Sequence, residues 1–255
     1  MLSITDELLI AVALFALLGG AFEVGFRAAR RRVADGEKRA VPEIGAIQGA
    51  ILGLLGLLLA FCFSAASARF LDRQDWISRE ANAIGTAALR AELLPAPHGA
   101  RLHDTLRRYT EHRLDAARRI VQGIDPADAD EIAGLHAEIW SAALDGVNAR
   151  PDAMVPVLNS VNEVIDIHAM RVAAGRKHVP WLVMGLLIAC SALAMGVTGY
   201  GCGVTGKRRA PMTLSLAALI GAALWITLDL DHPRAGLLQL SDAPLRELRF
   251  DAPKP

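Results

Sequence analysis

The chain has 255 residues, 53% of them apolar, and its mean hydropathy of +0.33 stands well above that of a soluble globular protein. Asp, Glu, Lys and Arg make up 21% of the chain, yet they almost vanish from four windows of roughly 18 to 25 residues, the length that spans a bilayer core as a helix. A polytopic membrane protein is expected, and the balance of 27 basic against 27 acidic residues excludes the basic excess of a nucleic-acid binder.

The first window runs from about Leu8 to Phe26. No positive segment precedes it, and Arg27 and Arg30-Arg31-Arg32 follow it in place of a small-residue cleavage site, so it reads as a retained membrane helix. Glu23 interrupts it near its end, either as an interfacial partner of Arg27 or as a functional intramembrane acid. The second window, about Ile44 to Ala68, carries Gly45, Gly49 and Gly53 at four-residue spacing. Such a stripe lets another backbone approach closely, or leaves room in the wide part of a pore.

From Arg69 to Lys177 the composition changes to 14 basic and 16 acidic residues. The segment has helical periodicity, as in Leu102, Leu106, Tyr109, Arg113 and Ala117, or Leu135, Ile139, Ala142 and Val147. Breaks fall at Pro95-Ala-Pro97, Gly123-Ile-Asp-Pro126 and Arg150-Pro-Asp152. A helical extramembrane domain over 69–178 is predicted, between membrane helices in 1–68 and 179–230, with a short tail over 231–255.

The third window begins at Pro180-Trp181, a helix-start proline beside an interfacial aromatic, and runs to about Tyr200. The fourth, about Met212 to Leu228, is uncharged and ends at Asp229-Leu-Asp-His-Pro233. In the tail, Leu237, Leu238 and Leu240 either pack on the helical domain or form an edge strand. The fold class is therefore an all-α membrane protein with four transmembrane helices plus a helical extramembrane domain.

Chemistry-bearing motifs are missing. No Walker loop, dinucleotide fingerprint, Gly-x-Ser-x-Gly elbow or His-Glu-x-x-His occurs, so no catalytic residue and no cofactor is predicted. The seven histidines are scattered, and His98 and His103, five apart, fall on different helix faces; no metal site is expected. Asp128, Asp130 and Glu131 follow Pro126 and suit a helix N-terminus. Cys62, Cys190 and Cys202 form no Cys-x-x-Cys pair.

Leu54-Leu-Gly-Leu-Leu-Leu-Ala-Phe-Cys-Phe-Ser64, Arg69-Phe-Leu-Asp-Arg73, Glu80-Ala-Asn-Ala-Ile-Gly-Thr86 and Leu89-Arg90 resemble the bacterial bestrophin-like membrane family. The resemblance continues through Asn162-Glu-Val-Ile-Asp166, His168 and Arg171, and through Asp229-Leu-Asp-His-Pro233 and Gly236, in order over most of the chain. Leu59-Ala-Phe61 followed by Arg69 and Phe70 is similar to the second helix of bestrophins themselves, which implies a homopentameric anion channel. The resemblance places an apolar neck at Gly53, Leu57 and Phe61. Gly53 departs from the large apolar pattern and shortens the constriction, while Phe70 and Leu71 stand where paired tryptophans are expected.

Read from the residues alone, Leu57, Phe61 and Ser64 share a helix face that either forms an apolar constriction about a symmetry axis or packs against helices and lipid. Arg69 and Arg73 at the membrane edge either attract anions or anchor to lipid phosphate. The expectation is a homo-oligomer, multi-pass in the cell inner membrane, with lipid and small anions such as chloride as partners. The alternative is a non-conducting scaffold or sensor whose helical domain binds a partner. For sidedness, the Arg27 to Glu43 link with six basic residues and the link after Tyr200 with three are placed in the cytoplasm by the positive-inside rule, which puts both termini and the helical domain outside. The bestrophin resemblance implies a cytosolic domain instead.

Overall fold

The computed structural model describes residues 4–34, 41–119, 126–208, 210–233 and 237–250. In chain order its elements are α1 (Ile4–Ala34), α2 (Val41–Ala91), α3 (His98–Arg119), α4 (Pro126–Ala149), a 3-10 turn (Pro151–Ala153), α5 (Met154–Gly175), α6 (Trp181–Thr205), α7 (Ala210–Asp231) and the one-turn α8 (Ala243–Arg246). Among the described residues every regular element is helical. Lys38, Arg39, Arg209 and Gly236, used above in the charge count and the resemblance, lie outside the described residues.

The chain divides into two compact units, one of residues 2–68 and 178–238 and the other of 69–177 and 239–255. The predicted domain limit at Arg69 therefore falls inside a helix, because α2 runs unbroken for 51 residues. No proline interrupts Arg69 to Ala91, Gly85 is its single glycine, and the change at Arg69 is one of composition while the helix continues.

In the first unit, α1, α6, α7 and the first half of α2 are long and apolar enough to cross a membrane, with mean hydropathies of 1.8 to 2.3 over their best windows. Lipid tails are as apolar as Leu, so packing rather than water exclusion must hold these helices together. Small residues do this between α1 and α6. A methyl group built at Gly25 would overlap the carbonyl of Gly196, and one at Gly199 would overlap that of Phe22. At Gly203 it would lie 2.5 Å from the Phe26 oxygen and 2.7 Å from the Ala29 methyl. Helix α6 ends on Gly206, whose φ of +69° is the left-handed cap that side-chain-bearing residues disfavour. Leu18, Leu55, Leu187, Met195 and Leu224 fill the core beside this contact.

The second unit is built from the rest of α2 with α3, α4, α5 and the tail. Leu102, Leu106, Tyr109, Arg113 and Ala117 are buried along α3, and Leu135, Ile139, Ala142 and Val147 along α4, as their spacing requires. Leu240, Leu245, Leu248 and Phe250 pack against the same core, so that part of the tail takes the packed alternative. Leu237 and Leu238 stay exposed and belong to the membrane unit.

Candidate functional site

The predicted neck residues lie on the outer face of α2. Gly53, Leu57, Phe61 and Ser64 are separated by four, four and three positions, which aligns them on one side of a helix. All four are exposed in the single chain, Leu57 at 53% and Phe61 at 64%. The opposite side of the same helix carries Leu55 and Ala66, both fully buried. Two faces of one apolar helix are thus used differently, one for the core of the chain and one for whatever surrounds it.

The glycine stripe shares that exposure. Among the described residues, a Cβ at Gly45, Gly49, Gly53 or Gly56 would meet no heavy atom within 4 Å, so no other described helix uses the close approach these residues permit. Among the described membrane helices the tightest glycine contacts are those of the α1 and α6 seam, whose Gly196, Gly199 and Gly203 the spacing does not single out. Gly45 instead borders an open cavity of about 320 Å³ with Thr198, Cys202 and Thr213. There Gln48 Nε2 donates to Thr198 Oγ1 at 3.1 Å.

The charged residues near Ala68 differ in burial. Arg73 is buried at 5% exposure and turns inward. Its Nε donates to the Ala174 carbonyl at 3.3 Å and its Nη2 to that of Lys177 at 2.5 Å. These carbonyls lie at the C-terminal end of α5, where a cation complements the helix dipole. Arg69 is half-buried. Glu23 has two partners, Arg27 Nε at 2.9 Å and Arg208 Nη2 at 3.0 Å, so the ion-pair alternative holds for it.

Sequence spacing did not reveal the polar centre of the helical unit. Glu80, on α2 and fully buried, meets Arg171 Nε of α5 at 2.9 Å and Arg113 Nε of α3 at 3.3 Å. Tyr109 Oη donates to Glu80 Oε1 at 2.7 Å, and His168 Nδ1 stands 3.1 Å from the Tyr109 oxygen. Three helices therefore converge on one carboxylate. Burial, followed by the negative charge of Glu80, drives the Tyr109 phenol well above its ordinary range, so it stays a hydrogen-bond donor. His136, whose ring lies 5.0 Å from that of His168, is pushed down to about 4 by burial and then by the His168 charge, which keeps it neutral near pH 7. The available signal was the family resemblance, which contained Glu80, His168 and Arg171 but assigned them no common role.

At the end of α7, beside the start of α6, two aspartates hold backbone. Asp229 accepts the N–H groups of Leu237 and Leu238 at 3.0 and 2.9 Å. Asp231 accepts that of Val179, through both oxygens, at 3.1 and 3.0 Å. The Asp229-Leu-Asp-His-Pro233 segment therefore fastens the chain on either side of the membrane helices.

A family model described as Bestrophin-like domain matches residues 12–245. No curated protein matches the chain in sequence. Among solved structures, the fold is similar to that of a point mutant of a bacterial bestrophin homologue from Klebsiella pneumoniae, with a TM-score of 0.70, 14% identity, and 93% of this chain and 95% of that one covered.

Proposed function

From the premise that this chain belongs to the bestrophin-like family, we propose that it assembles as a homo-oligomer, a pentamer, and conducts small anions such as chloride passively through the cell inner membrane. The observation that carries the reading is the exposed row of Gly53, Leu57, Phe61 and Ser64 on α2. Repeated about an axis, Leu57 and Phe61 form an apolar ring with a hydroxyl ring at Ser64. A constriction of that kind passes ions when wet and blocks them when it dries. Gly53 leaves the neck wide on the other side of Leu57, and Arg69, one helical turn and a half beyond Ser64, raises the local anion concentration. Gly45 and Gly49 provide the close approach of neighbouring copies.

The test is chloride efflux from liposomes holding the purified protein, with the membrane potential clamped by an ionophore. Leu57→Ala with Phe61→Ala widens the neck and makes it easier to wet, so efflux rises above that of the native chain. Silence in both preparations, with the oligomer intact, removes the channel and leaves a scaffold or sensor. Equal passage of cations removes the anion assignment while leaving the neck.

A further inference from the structure

His178 and His232 are 54 positions apart, and the fold brings them face to face. His178 precedes α6 by three residues, while Asp231 closes α7 and His232 follows it. The two imidazole rings stack with centroids 5.0 Å apart and planes 15° from parallel. Asp231, whose side chain is 3% exposed, places Oδ2 3.5 Å from His178 Nδ1. One donor atom from each of the three residues lies within 4.8 Å of the others.

We propose that His178, Asp231 and His232 form a binding site for a divalent transition metal of the zinc class. Two imidazoles and one carboxylate are a donor set for zinc, cobalt, nickel or copper, whereas calcium and magnesium prefer oxygen ligands. The surroundings prepare the ligands as a metal site needs. His178 Nδ1 lies 3.1 Å from the Asp231 carbonyl, and His232 Nδ1 lies 3.2 Å from that of Leu228. A ring that donates Nδ1–H to a carbonyl keeps its Nε2 lone pair for the ion. The Asp231 carboxylate is fixed in turn by the Val179 N–H.

Ligand atoms about a tetrahedral zinc ion stand about 3.3 Å apart, from bonds of about 2.0 to 2.1 Å. The three donors must therefore close by up to about 1.5 Å, which rotation of the two solvent-facing imidazoles can supply while the buried carboxylate stays in place. Three protein ligands leave the remaining position to water. The bound ion joins the start of α6 to the end of α7, adding to the backbone clasp that Asp231 already makes there. The absence of a metal site was expected because the histidines are dispersed along the sequence; the site exists only through the return of α7 to the start of α6.

The test uses the full-length protein in detergent, purified with a tag that contains no histidine. Isothermal titration with zinc chloride should show one saturable site per chain, and bound cobalt should show the visible absorption of a nitrogen-ligated ion. His178→Ala and His232→Ala, both at exposed positions, should each weaken zinc binding at least tenfold and reduce the cobalt bands, with helical circular dichroism unchanged. The proposal is overturned if no saturable site is found, if the double histidine variant binds zinc as the native chain does, or if calcium and magnesium bind equally tightly. None of these readouts depends on ion conduction.

Discussion

At the scale of single residues, Glu80 decides more than its one charge suggests. Two guanidinium groups, a phenol and an imidazole are arranged around it, and its own side chain is fully buried. Such a group is costly to break from one side, because removing the carboxylate leaves Arg113, 2% exposed, and Arg171 without their counter-charge. Glu80→Ala should destabilise the protein by about 3 to 5 kcal/mol, and Tyr109→Phe, which removes the hydroxyl that donates to Glu80 and faces His168, by about 1.5 to 3 kcal/mol. Thermal unfolding in detergent, followed by circular dichroism, measures both. Equal stability of Glu80→Ala and the native protein would show that the convergence of the three helices does not depend on this carboxylate.

At the scale of elements, the two sets of glycines make opposite demands. Gly199 on α6 lies where any side chain runs into the Phe22 carbonyl of α1, so backbone would have to move to admit one. Gly49 on α2 faces open space. Gly199→Leu should therefore lower expression and thermal stability of the chain, whereas Gly49→Leu should leave the folded chain intact and shift native mass spectra in mild detergent from the oligomer toward monomer. A Gly49→Leu protein that keeps its full assembly would separate the stripe from subunit contact. The division was hard to read in advance because Gly45, Gly49 and Gly53 have the regular spacing of a packing motif. The seam that is used alternates spacings of three and four, through Gly196, Gly199 and Gly203, and meets Gly25 of α1 across it.

For the whole molecule, sidedness remains the sharpest question for experiment. The basic links favour an external helical domain, and the family resemblance implies a cytosolic one. Ser141 on α4 is exposed. In a background lacking Cys62, Cys190 and Cys202, Ser141→Cys should react with a membrane-impermeant thiol reagent in intact spheroplasts if the charge rule governs. Reaction only after lysis would reverse the orientation and put the domain in the cytoplasm.

The sequence by itself determined the four membrane helices, the helical character of the remainder and the family. Each of these depends on properties carried along one segment: apolar length at Val179 to Tyr200, helical period at Leu102 to Ala117, and an ordered run of residues from Leu54 to Asp231. It also indicated which α2 residues share a face, since Gly53, Leu57, Phe61 and Ser64 follow helical spacing. Tertiary structure decided what each face and each charge does. Arg73 turned inward because the end of α5 offered it carbonyls, Glu80 acquired partners from α3 and α5, and the glycine contact moved to α6. His178 met His232 for the same reason. Contacts between residues far apart in the chain depend on how helices return to one another, and no local period or composition encodes that geometry.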